Sequence, residues 1–310
     1  MQNVLFAMGL IIAVGVLWRI VLGYEHAERM RSLLAQGVYQ VFLPALVLHV
    51  LWNTPVDFNT LRIPLVAALS VLVSLLVAFF IYGNGWVVAK CTGRNDRKAI
   101  GALLLASAFG NFTYLGLPVL TQAFGEWAQF IAINFDLLAS TPLLFTVGII
   151  IARFYGVRSG GHPFVGLLRV PAIWAALVAL ALSAMHVAMP VWLEQAAQLL
   201  GAAVIPLMLL AVGMALRWQA GWLQRAPLLL PVLVIQLLLM PLIAWTASLG
   251  VAMPEQMLAP VVIEGAMPCM VLGLVICDRF KLDASLYAEA VTVSTLLSFA
   301  TLPLWLGLLA

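Results

Sequence analysis

Three carboxylates, Asp136, Glu264 and Glu289, sit inside runs of apolar residues. A carboxylate is costly to place in lipid, so one kept there is a functional-site candidate by default, suited to carry a proton or, when ionised, to bind Na+. Two clusters of helix breakers lie near them. One reads Ala108-Phe-Gly110-Asn111-Phe-Thr113-Tyr-Leu-Gly116-Leu-Pro118, the other Glu264-Gly265-Ala-Met-Pro268-Cys269-Met. Gly weakens a helix, and Pro removes a donor and clashes with the preceding turn. Where a helix restarts after such a break, its first N–H groups and the positive end of its dipole are free to face a ligand. Pro in that first turn costs nothing, because its missing N–H has no partner there anyway. Two such ends converging on one cavity favour an anion, of which carboxylate is the commonest small kind. Asn111, Thr113, Gly116 and Pro118 at the first break, and Gly265, Pro268 and Cys269 at the second, are the candidate substrate-binding residues. Asp136, Glu264 and Glu289 are the candidates for holding a coupling ion. Glu289 stands within snorkelling reach of the inner surface, unlike the other two.

The elements that must hold these residues are membrane helices. Apolar residues make up 65% of the 310 positions and charged residues only 9%, against about 25% charged in a soluble domain. Stretches of about 20 apolar residues, the length that crosses a bilayer core, recur along the whole chain and leave no room for a separate soluble domain. The breaks between them predict ten helices, at 3–22, 31–52, 62–87, 97–123, 127–153, 169–188, 191–215, 227–249, 255–277 and 283–309. Asn111 then lies roughly 20 Å along the fourth segment, and Pro268 falls at a matching depth from the opposite end of the ninth. Broken backbone at that depth is tolerated only against other protein or a water-filled cavity.

Charge tests this segmentation. Arg19, Arg29, Arg31, Lys90, Arg94, Arg97 and Lys98 all fall in or beside the loops after the first and third segments. Arg153, Arg158, Arg169, Arg217, Arg225, Arg279 and Lys281 fall likewise after the fifth, seventh and ninth. Of the fifteen Lys and Arg residues only Arg62 is on the other side, so the positive-inside rule places both termini outside the cell and the central loop in the cytoplasm of a plasma (inner) membrane protein. The polar stretch from Phe154 to His162 reads as a flexible linker. It separates a first five-helix repeat (1–155) from a second (166–310), with 156–165 between them. An odd number of helices per half inverts one half relative to the other. The Pro44 and Pro206 segments echo each other, as do the two breaks. The expected fold class is therefore an all-α membrane protein of two inverted five-helix repeats, a recurring carrier architecture with the site where broken helices meet.

Other classes are excluded or disfavoured. No basic tract with interleaved aromatics suggests nucleic acid, and the chain lacks the H-E-x-x-H and G-x-S-x-G motifs of enzymes. Cys91, Cys269 and Cys277 form no C-x-x-C pair, which argues against both a disulfide framework and a zinc site; no cofactor is expected beyond a coupling H+ or Na+. Met1-Gln2-Asn3 carries no positive charge, so the first segment is expected to be retained rather than cleaved. His49, His186, Trp52, Trp192 and Trp245 read as interfacial residues. Ser140 and Thr141 read as backbone partners beside Pro142, and Tyr39 and Gln40 stay ambiguous.

The run Ala-Phe-Gly-Asn-Phe-Thr-Tyr-Leu-Gly-Leu-Pro-Val-Leu (108–120) resembles the signature of the auxin efflux carrier family, which includes plant exporters and prokaryotic malate permease-like proteins. The stretches after Glu264, Ala288 and Leu302 and the Leu43-Pro44-Ala segment extend the likeness over nearly the whole chain. The resemblance implies that Asn111 is the crossover Asn and that Pro118 and Pro268 are the family's prolines. It also implies a scaffold of helices 1, 2, 6 and 7, a transport domain of helices 3–5 and 8–10 with crossed broken helices 4 and 9, an organic-anion substrate and a homodimer through the scaffold. Gly110 stands where plant exporters carry Pro, Glu264 stands where they often carry an amide, and the central loop is short. These departures favour a prokaryotic carboxylate carrier over an exporter of auxin itself, with a malate-like or auxin-like anion as substrate. The expected function is alternating-access transport of a small organic anion coupled to H+ or Na+. The alternatives are an anion channel or uncoupled facilitator on the same fold, or a sodium-coupled carrier like the bile-acid symporters.

Overall fold

The computed structural model describes residues 2–55, 57–93, 95–157, 163–216 and 222–309. Arg94, Arg158 and Arg217 of the charge pattern, and residues 158–162 of the linker, lie outside them. The described chain is helical throughout, with one isolated antiparallel bridge between Gly110 and Cys269. In chain order the helices are α1 (Gln2–Leu22), α2 (Glu25–Trp52), α3 (Thr60–Tyr82), α4 (Trp86–Thr92) and α5 (Arg97–Ala108). After a break follow α6 (112–124), α7 (Glu126–Tyr155), α8 (Pro163–Leu168) and α9 (Pro171–Ala184). The second half continues with α10 (Val191–Ala215), α11 (Arg225–Gly250), α12 (Glu255–Gly265), α13 (Gly273–Phe280) and α14 (Ala284–Leu309).

Six of these, α2, α3, α7, α10, α11 and α14, are long and apolar enough to cross a membrane by themselves. The first and sixth sequence segments appear as the shorter apolar helices Phe6–Leu22 and Pro171–Ala184. The fourth and ninth are interrupted, as α5 with α6 and α12 with α13. The second break is wider than Pro268 alone suggests, running from Ala266 to Leu272 between the two helices. The second segment begins several residues earlier than its apolar run, because the charged stretch from Glu25 to Arg31 is already helical.

Proline shapes these helices in a consistent way. Wide π-turns occupy Val38–Phe42, Phe112–Gly116, Asp136–Ser140 and Ile235–Leu239. Each of these four ends two residues before a proline, Pro44, Pro118, Pro142 and Pro241, while a fifth π-turn, Leu144–Gly148, has none at that spacing. The proline ring clashes with the carbonyl four residues earlier and offers no N–H to it. Widening the turn before the ring relieves that clash, and such bulges are frequent at functional sites. In α6 the wide turn is closed by Gly116 N–H donating to the Asn111 carbonyl at 3.1 Å.

Packing sorts the helices. α1 lies along α10, while the second half of α2 packs against α9 and α10. At the α1–α10 crossing a Cβ on Gly15 would lie 3.1 Å from the Gly213 Cα and closer still to the Leu210 carbonyl. Close backbone approach of this kind is how membrane helices associate when lipid competes equally for apolar side chains. α3 packs on α5, α7 and α11, and α14 on α5, α12 and α13.

Candidate functional site

The two breaks cross and hydrogen-bond to each other. Asn111 N–H donates to the Pro268 carbonyl at 2.7 Å, and Met270 N–H donates to the Phe109 carbonyl at 2.9 Å. This pairing satisfies backbone that lipid could not. The remaining groups of the second break are met by side chains. Ser294 Oγ accepts from Cys269 N–H at 3.1 Å, Tyr287 donates its hydroxyl to the Met270 carbonyl at 2.9 Å, and Gln236 Nε2 donates to the Met267 carbonyl at 3.0 Å. Gly110 has no room for a side chain: a Cβ there would come within 2.7 Å of Gln236 Nε2 and 2.6 Å of the Phe112 ring.

Beside the crossing lies a partly open cavity. Asn111, Thr113 and Tyr114 line it from the first break, and Met270 and Leu272 from the second. Asp136, Thr141 and Phe145 come from α7; Tyr39 and Leu43 come from α2, and Val170 from the turn before α9. The half-helices α6 and α13 thus both begin at this cavity, with their positive dipole ends toward it. Asn111 is 3% exposed and its Nδ2 finds no acceptor among the described residues. Such a buried donor without an acceptor costs free energy unless a ligand or water meets it. No Lys or Arg contributes to the lining.

The three acids stand in three different environments. Asp136 accepts hydrogen bonds from Thr113 Oγ1 and, at 2.9 Å, from Thr141 Oγ1. Thr141 therefore serves the carboxylate rather than the backbone beside Pro142. Glu264 is wholly buried and neither carboxyl oxygen has a hydrogen-bond partner among the described residues. Its carboxyl group packs directly on Gly116, where any Cβ would collide with it. Glu289 pairs with Arg225 at 3.4 Å, and Arg225 also reaches Ser285 Oγ at 3.2 Å. The partner was not legible because Arg225 is placed by sequence in a loop, whereas it lies within the first turns of a helix and reaches α14.

The other expected site residues sit around the crossing rather than in the cavity wall. Gly116 forms the bed of the Glu264 carboxyl, Gly265 lies against Ala244, and Pro118 is buried in α6. Pro268 and Cys269 take part in the pairing of the breaks. Sequence reasoning passed over Gln236, Tyr287 and Ser294, read Thr141 as a backbone partner, and left Tyr39 undecided. Tyr39, Thr113, Asp136 and Gln236 each lie on one of the four π-turns that precede a proline, which is a signal the sequence does carry.

A family model and two relatives are similar to this chain. A family described as membrane transport protein matches residues 160–306. An uncharacterized transporter of Methanothermobacter thermautotrophicus is 28% identical over 288 residues, covering 92% of this chain and 90% of its own length. An uncharacterized transporter of Methanocaldococcus jannaschii is 24% identical over 299 residues, with 92% and 90% covered. The family match falls on the half that contains the second break, and the relatives extend the likeness across the first. The chain is thus similar to the membrane transport protein family, that of the auxin efflux carriers, and the matches support a multi-pass membrane transporter rather than an enzyme.

Proposed function

We propose that the protein is a secondary carrier that moves a small organic anion by alternating access, coupled to H+ or Na+. The observation that carries this reading is the buried Asn111 Nδ2, without an acceptor among the described residues, at a cavity where two half-helices begin. An amide donor and two positive dipole ends suit a carboxylate without a charged side chain. A lining with no Lys or Arg and several apolar side chains suits one carboxylate on a largely apolar body better than two.

Ten crossings follow if each interrupted pair counts as one and the two shorter apolar helices as one each, in addition to the six long spans. The packing supports a scaffold of α1, α2, α9 and α10 and a transport body of the remaining spans. Tyr39, Leu43 and Val170 belong to the first group and the rest of the lining to the second, so the cavity lies between the two bodies. Relative movement there would open it to one side and then the other.

A thermal-shift screen of the purified protein tests the reading, using benzoate, phenylacetate, acetate and malate, each with and without Na+ and at two pH values. A ligand that binds only the folded state at 100 times its Kd adds about 2.7 kcal/mol of stability. The expected result is a saturable upward shift with at least one monocarboxylate, absent in Asn111→Ala. No shift with any of them, or an unchanged shift in Asn111→Ala, contradicts it.

A further inference from the structure

Of the three intramembrane acids, Glu264 alone has no hydrogen-bond or ion-pair partner among the described residues. Asp136 has two hydroxyl donors and Glu289 has Arg225, yet Glu264 is fully enclosed with both oxygens unpaired. An ionised carboxylate in that position would have lost its water and gained nothing in return. No group of three or more His, Cys, Asp or Glu side chains is placed to hold a metal ion among the described residues. A proton on Glu264 removes the buried charge.

The surroundings point the same way. α12 packs against α3, α6, α7, α11 and α14. Among the ionisable groups on these helices, Asp136 acts on Glu264 electrostatically. Tyr82 and Tyr287 instead donate to the Leu228 and Met270 carbonyls, and Glu289 is held by Arg225. Thr113, which donates to Asp136, and Gly116, on which Glu264 rests, lie within one turn of α6. The two acids therefore flank the same turn of one half-helix, Asp136 in the cavity wall and Glu264 sealed behind it.

We infer that Glu264 holds a proton in the protein without substrate, and that Asp136 takes a second proton from the aqueous side when an anion enters the cavity. An anion beside Asp136 disfavours its ionised form by like-charge repulsion. One proton then enters with each monovalent anion, and the pair crosses together without net charge. The second step rests on the anion-carrier reading above; the proton on Glu264 does not.

Infrared spectroscopy of the protein in nanodiscs, with K+ as the only alkali cation, tests the first step without any substrate. The expected spectrum contains the carbonyl band of a buried protonated carboxylic acid that shifts in D2O and disappears in Glu264→Gln. Loss of carboxylate bands instead in Glu264→Gln, or a change in the acid band when Na+ replaces K+, overturns it. If Glu264→Gln does not fold, absence of any buried acid band in the wild type overturns it equally. The second step is read in weakly buffered solution with a pH indicator, using phenylacetate and benzoate. Binding should draw about one proton per anion in the wild type and none in Asp136→Asn; binding without proton uptake in the wild type overturns that step. An acid band on Glu264 with no carboxylate binding at all would contradict the carrier reading while leaving the resting proton in place.

Discussion

Thr141 and Asn111 show how differently two buried polar side chains can bear on one site. Thr141 donates to Asp136 Oδ1 at 2.9 Å and shares that carboxylate with Thr113. Replacing it by Val leaves the shape and removes the donor, so a buried carboxyl acceptor loses one of its two bonds. The expected cost is about 1.5–3 kcal/mol, measured as a lower denaturation midpoint, with Thr141→Ser close to wild type. Asn111 is the opposite case. Its Nδ2 has nothing to lose in the ligand-free protein, so Asn111→Ala should melt near the wild-type temperature and yet lose its response to carboxylates. The pair of outcomes separates a residue that supports the site from one that awaits a ligand.

At the scale of elements, the tight fit is between α12 and the half-helix α6. Gly116 cannot take a side chain while Glu264 occupies its present place. Gly116→Ala should therefore destabilise the protein, and adding Glu264→Ala should recover much of the loss. A coupling of about 0.5–3 kcal/mol between the two substitutions is expected in a double-mutant cycle; additive effects would mean that the carboxyl and the glycine are not in contact. The breakers around Asn111 and Pro268 were readable from residue types alone, since Gly and Pro act locally. The crossing was not, because Asn111 N–H and the Pro268 carbonyl are brought together by the whole fold. Tyr39, Asp136 and Gln236 fall between: a proline downstream of each marks a widened turn, but which way the turn aims its side chain depends on neighbours. Thr141 was misread for that reason, as local geometry offered it the backbone while tertiary packing offered it Asp136.

Across the whole molecule, lipid removes the usual guide to packing. A helix apolar on every side shows no preferred face in its sequence, so nothing in α1 foretold its contact with α10. Gly15 and Gly213 make that contact, and Gly213→Leu should prevent the two backbones from meeting and abolish recovery of folded protein on size exclusion. The expected orientation, by contrast, rests on charge, and Cys91 reports on it. Cys91 is exposed while Cys269 and Cys277 are buried, and it lies beside Lys90 in the stretch expected to face the cytoplasm. A membrane-impermeant maleimide should label Cys91 in inside-out vesicles and spare it in right-side-out ones; the reverse pattern would invert the topology.

The account as a whole stands on the paired breaks forming an anion site that can be carried across the membrane. Flux of labelled phenylacetate and benzoate into proteoliposomes, with wild type and Asn111→Ala reconstituted at equal amounts, tests it most directly. Saturable uptake of at least one of them by the wild type, stimulated by an inward proton gradient and reduced to the level of empty liposomes in Asn111→Ala, is the predicted result. Uptake by Asn111→Ala equal to that of the wild type, or flux that rises linearly with anion concentration without saturating, would contradict it.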